Sequence, residues 1–187
     1  MIEKEALSIL QNEGWLINKD DTGVNSCYIE VESLLVRIIP TIKKRPGYFR
    51  ISFMPSVSLI TFSQVVDRIF NKRSGYEPII VSNLPAEKIV DISKEDIVLL
   101  SKNAINWAAK QEIEKALKEY RLLPTSCRGA MPLRHLAALA LHADIKKLSF
   151  YKKSFLNADR LEFVPYISIE MIDEALSIAT DNLNRNK

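Results

Sequence analysis

The segment from Ser93 to Leu122 contains neither Gly nor Pro, and its periodicity predicts one long helix. Ser93 is a good N-cap. Ser93 to Asp96 approximates a capping box, with Glu95 and Asp96 at the positive end of the helix dipole. Lys118 and Arg121 suit the other end, and Pro124 forbids continuation. The apolar stripe is not straight. Ile97, Val98, Leu100, Ala104, Ile105, Trp107 and Ala108 make one wide face; Ile113, Ala116, Leu117 and Tyr120 then lie roughly a quarter turn away. One face cannot serve one partner over that length. The first half is expected on the preceding sheet, and the second half on the C-terminal helices or on another subunit. A single kinked core helix is the plainer alternative.

Bulk properties narrow the class. A chain of 187 residues makes one domain, or one domain with an extension, and can bury a real core. The net charge of +3 divides as zero over residues 1–92 (11 basic, 11 acidic) and +3 over 93–187 (15 basic, 12 acidic). That is too little to argue for nucleic acid. The N-terminal MIEKEALSIL is acidic and amphipathic, unlike a signal peptide, and no apolar run approaches membrane-spanning length. Cys27 and Cys127 make no disulfide framework. A soluble, reduced, cytoplasmic protein with no membrane partner is expected.

Along the chain, residues 2–13 read as a first helix with Ile2, Ala6, Ile9 and Leu10 inward and Gly14 as its stop. A short extended piece, Trp15-Leu16-Ile17, precedes a turn at Asp20-Asp21-Thr22-Gly23. Three strands follow, around Cys27-Ile29-Val31, Val36-Ile38-Pro40 and Phe49-Ile51-Phe53. Lys43 to Gly47 reads as a turn whose charge run is a solvated hairpin tip. Thr61-Phe62-Ser63-Gln64 opens a second helix with Phe62, Val65, Val66, Ile69 and Phe70 inward. Two short strands, Ile79–Val81 and Lys88–Val90, lead to the long helix. Beyond Pro124 the chain reads as helical. Pro132 starts a helix apolar nearly all round, Asp144 caps another, and Ser168 begins the last, before a tail expected to fray.

Several details of texture occur together: Glu13-Gly14-Trp15-Leu16 closing the first helix, Asp20 to Gly23 before a strand, and FSQVVDRIFNKRSGYEPIIVS carrying the middle helix into a strand. Trp107 sits inside the last helix of the set. With the order helix, three strands, helix, two strands, helix over residues 1–122, the chain resembles type III secretion chaperones of the Tir-chaperone kind. The resemblance implies a two-layer α/β domain over 1–122; it does not reach 125–187, which reads as an α-helical extension packed on that domain. It also implies a bacterial homodimer that holds a secreted protein partly unfolded. Such chaperones are usually acidic and shorter, whereas this chain is mildly basic and has about a third of its length added.

Candidate sites are few. With Cys27, Val36, Ile51 and Phe53 turned to the helices, the other sheet face shows Tyr28, Leu35, Ile39, Tyr48 and Met54 among Glu30, Arg37 and Arg50. That face is too apolar for open solvent and wants either a partner or the chain's own helices. Together with Ile113, Leu117 and Tyr120 on the rotated stripe, these are the candidate partner-binding residues. His135 and His142 are seven apart, wider than a one-turn helical metal pair, so a polar strip is the ordinary reading and no metal or cofactor is expected. Cys127 precedes a helix start with His135 eight residues on, which makes a thiol nucleophile conceivable. Lys146, Lys147, Lys152 and Lys153 read as a solvated face.

The expectation is an α+β protein: an antiparallel sheet flanked by helices with an all-α C-terminal extension. Its expected function is non-enzymatic binding of a cognate protein partner, with no catalytic residues. The alternative is a small thiol-dependent enzyme or hydrolase using Cys127 and His135.

Overall fold

The computed structural model describes residues Glu3–Asp20 and Thr22–Arg185. Ile2, Asp21 and the last two residues of the tail, on which the sequence reading also touched, lie outside the described residues. The fold is α+β with antiparallel sheets and a helical C-terminal region. No helix among the described residues is long and apolar enough to cross a membrane. The chain divides into two compact units, Met1–Leu59 with Pro78–Gln111, and Ile60–Glu77 with Glu112–Lys187. This division is a different line from the one drawn in the sequence at 122–125.

In the first unit, α1 (Glu3–Asn12) buries Ala6 and Leu10. It closes as the sequence foretold. The Gly14 N–H donates to the Gln11 carbonyl (3.1 Å) and the Trp15 N–H to the Leu10 carbonyl (3.0 Å), with Gly14 at φ +91°. This left-handed closure turns Trp15 into the core, where it is fully buried. Strands β1 (Leu16–Lys19), β2 (Asn25–Val31) and β3 (Leu34–Ile38) follow, then β4 (Thr41–Arg45), β5 (Tyr48–Ser52) and β6 (Ser56–Leu59). With β7 (Ile80–Val81), four of these form a five-stranded sheet in the order β1-β2-β3-β6-β7. The other two join β8 (Glu87–Ile89) in a three-stranded sheet, β4-β5-β8. All neighbouring pairs are antiparallel.

Two prolines explain why there are two sheets where the sequence suggested one. Pro40 has no N–H to donate, so the β3 ladder stops there and the chain re-enters pairing as β4. On the return, β5 ends at Ser52, Met54 takes φ +40°, and β6 begins after Pro55. The Ile39 N–H donates to the Phe53 carbonyl (2.7 Å) and ties the two crossings together. The run Lys43-Lys44-Arg45, expected as a turn, is therefore strand, and only Pro46-Gly47 remains as a two-residue tip with Gly47 at φ +78°. β6 had no counterpart in the sequence reading either, because Ser56-Val57-Ser58 lacks the usual strand composition.

The core face of the five-stranded sheet is as expected: Cys27, Val36, Ile38 and Val57 are fully buried there. Helix α3 (Lys94–Ala109) packs against α1 and β3, burying Ile97, Ala104 and Ala108. Its capping box is real. Ser93 Oγ accepts from the Asp96 N–H (3.2 Å), and the Asp96 carboxylate accepts from the Ser93 N–H (2.8 Å).

The long helix is the main correction. It breaks after Ala109, and α4 (Ile113–Arg121) belongs to the second unit. The Lys110 N–H donates to the Trp107 carbonyl (3.2 Å), the short-range pattern of a tightened last turn, and the Gln111 amide Nε2 donates to the same carbonyl (2.7 Å). Glu112 at ψ 70° then leaves helical geometry. The break falls where the apolar stripe rotates, so each half keeps its own partner.

In the second unit, α2 (Ile60–Phe70) begins one residue before Thr61, so Thr61 sits in its first turn rather than capping it. Helix α5 (Met131–Leu141) is central, with His135 through Ala140 buried, and packs against α2, α4, α6 (Ile145–Leu156) and α7 (Ile169–Arg185). Asp144 caps α6 by accepting from the Lys147 N–H (3.1 Å).

Candidate functional site

Strand alternation divides the three-stranded sheet into a side carrying Ile42, Phe49, Ile51 and Ile89, with Lys44 and Glu87 at its margins, and a side that is polar and cationic. Cross-strand register pairs Ile42 with Ile51 and Phe49 with Ile89 on one side, where Ile51 is buried. On the other side Lys43 stands opposite Arg50, Arg50 opposite Lys88, Arg45 opposite Tyr48 and Thr41 opposite Ser52. Three cations thus form a straight row across β4, β5 and β8. The segment Ser82–Ala86, leading into β8, joins this side to enclose a groove of ≈ 480 Å³.

The groove is lined by Lys43, Arg45 and Arg50 with Thr41 and Ser52 from the small sheet, and by Met54 and the segment Ser82–Ala86. Met54 and Leu84 are 48% and 57% exposed, two of twelve large apolar side chains exposed among the described residues, and these two share one cleft with the cations. A smaller recess of ≈ 70 Å³ adjoins it, sharing Ser52, Met54, Leu84 and Pro85 and reaching Phe53, Leu100 and Ala104. The Nζ of Lys88 lies 5.5 Å from the centre of the Tyr48 ring, so that part of the row is partly satisfied by a cation–π contact. What the groove presents to a ligand is cationic charge beside apolar surface.

The eight residues expected to bind a partner are not brought together. Tyr48 lies on the cationic side of the small sheet and Met54 lines the groove. Tyr28 and Leu35 are on the five-stranded sheet, half-buried and buried, and Ile39 is half-buried at the crossing between sheets. Ile113 and Leu117 are interior to the second unit. Tyr120 stacks on Phe62 with ring centres 6.1 Å apart. Ile113 and Leu117 of the rotated stripe are therefore covered within the second unit, where α4 packs on α5, while Ala116 and Tyr120 stay half-buried.

The thiol pair is engaged otherwise. His135 is fully buried, and both ring nitrogens are committed. Its Nδ1 lies 2.7 Å from the Tyr120 carbonyl, which can only accept, so Nδ1 carries the proton. Nε2 then accepts from the Tyr151 hydroxyl at 2.9 Å. Burial, opposed by the Tyr120 hydrogen bond, pushes the His135 pKa down to about 4, and burial pushes Tyr151 up to about 12. The imidazole is a neutral structural group. Burial also raises the Cys127 thiol, the opposite of activation, and Cys27 is raised to about 11 for the same reason. His142 is exposed at the end of α5, so the two histidines do not share an environment. Among the described residues no group of three His, Cys, Asp or Glu side chains is placed to hold a metal.

The lysines of α6 are partly consumed as well. Lys147 Nζ donates to the Arg121 carbonyl (2.9 Å), and Lys152 pairs with Asp173 (2.8 Å). Lys43, Arg45, Arg50 and Lys88 are what sequence reasoning missed as a set. The available signal was the two-residue spacing of Lys43 and Arg45, hidden by reading that run as a turn.

The chain matches no curated protein and no solved structure. A family model described as a family of unknown function matches residues 3–180, and on that near-complete match the chain belongs to the family DUF6990.

Proposed function

We propose that this is a non-enzymatic binding protein of the bacterial cytoplasm, secretion-chaperone-like, which holds or masks a cognate protein partner. One observation carries the reading: in the groove of the first unit, exposed Met54 and Leu84 share the lining with Lys43, Arg45 and Arg50. Apolar side chains left in water beside unneutralised charge are the signature of a surface that is completed by a ligand. The sequence resemblance to type III secretion chaperones supports it, with six strands rather than three standing between α1 and α2. A homodimer belongs to the same proposal, but through a surface other than Ile113 and Leu117, which are interior.

A photo-crosslinking amino acid at position 84, in cells of the native host, tests this reading. Position 122, an exposed leucine of the second unit, serves as control. A defined protein adduct from position 84 and not from 122 is the expected result. No adduct, or the same adducts from both positions, would contradict it.

A further inference from the structure

The small sheet carries a cost that its own folding does not require. Lys43, Arg50 and Lys88 stand directly opposite one another across three strands. Like charges in directly opposed positions destabilise a ladder. Arg45 adds a fourth cation two residues from Lys43 on the same side. Among the described residues, no carboxylate forms an ion pair with Lys43, Arg45 or Arg50. Departures of this kind from local consistency mark functional positions.

We infer that the groove takes an extended, acidic segment of the protein partner, an inference that rests on the binding reading above. Charge complementarity sets the sign. Spacing sets the form: alternate side chains of an extended chain recur about every 6.8 Å, the same step that separates Lys43 from Arg45 along β4. Carboxylates two residues apart on the ligand meet both cations, with Arg50 beside the first. Met54, Leu84 and Pro85 of the same lining receive apolar side chains of that segment. A single-stranded nucleic acid fits less well, because its bases need aromatic rings to stack on. Tyr48, on the cationic side, lies outside the groove lining, with Lys88 Nζ 5.5 Å from its ring centre. The first unit is also charge-balanced, with 11 basic and 11 acidic residues over 1–59 and 78–111, so the attraction is local to this cleft.

The test is fluorescence anisotropy on the full chain. The probe is a rhodamine-labelled peptide of about ten residues, with Glu at alternate positions among Val and Ser; its partner probe has Gln for Glu. At about 50 mM salt, where screening is weak, the acidic peptide is expected to bind about tenfold tighter than the Gln form. The Lys43→Glu/Arg50→Glu variant should erase that difference. The milder Lys43→Gln/Arg50→Gln variant repeats the measurement should the first fail to fold. Equal binding of the two peptides, or an unchanged preference in the folded variants, overturns the acidic assignment and leaves protein binding standing. Equal displacement by single-stranded oligothymidylate overturns it in favour of a general polyanion site. Binding of neither peptide overturns it too; if position 84 also yields no protein adduct in cells, the binding reading falls with it.

Discussion

Replacing Arg50 by Glu should stabilise the first unit while removing its ligand preference. Arg50 is the middle member of the cationic row, opposed by Lys43 on β4 and Lys88 on β8, and it is exposed. Each opposed charge pair on a sheet is worth about 0.2–1 kcal/mol, and the substitution turns two repulsive pairs into attractive ones. Counting both the repulsion lost and the attraction gained, about 0.8–4 kcal/mol follows, held to the lower end by solvent screening at these exposed positions. Trp15 and Trp107 are the chain's two tryptophans and both lie in the first unit, so their fluorescence in a urea titration reports on that unit. The midpoint should rise with an unchanged slope, and the gain should shrink at about 0.5 M salt. Arg50→Gln should recover roughly half of it. A midpoint that falls, or a gain indifferent to salt, would show that the row is not a repulsive element and would remove the argument for a ligand there. Stability gained at the expense of binding is the usual mark of a functional surface.

Other consequences concern the interior. Because His135 titrates at about 4 in the folded protein against 6.5 ordinarily, the unfolded chain binds a proton between those values that the native chain does not. The second unit should therefore hold its full stability above about pH 6.5 and lose up to about 3 kcal/mol as pH falls to 4. Urea titrations followed by helical circular dichroism should show this slope, and His135→Asn should flatten it. Iodoacetamide should spare Cys27 until unfolding and modify Cys127 more slowly than a free thiol. A fast phase at pH 6, lost in Cys127→Ser, would revive the thiol-enzyme alternative. Phe53→Ala, at a position only 5% exposed, should cost the first unit about 3–5 kcal/mol; a loss below about 1 kcal/mol would mean its side chain is not packed as described.

What could be read from the sequence was what local chemistry decides. Gly14 closing α1, Ser93 and Asp96 opening α3, Asp144 opening α6 and the buried alternation of Cys27, Val36, Ile38 and Ile51 all follow from short-range hydrogen bonding or strand periodicity. The break after Ala109 carried no Gly or Pro to announce it. Its only trace was the rotation of the apolar stripe, which a kinked helix would also produce. The groove was illegible for a different reason. Lys43 and Arg45 share a side only if their run is strand, and Lys88 reaches the row only through the pairing of β5 with β8, some forty residues apart in sequence. Long-range register assembled the site, and no single stretch contains it.

The central claim, that the cationic groove of the first unit is where this protein meets its partner, is tested most directly by mapping amide resonances of the full 21.3 kDa chain during titration with the acidic peptide. The account predicts shifts confined to Thr41–Ser52, Met54 and Ser82–Lys88, saturating together and lost at high salt. Shifts spread over the second unit, or none at peptide concentrations that saturate the anisotropy, would contradict it.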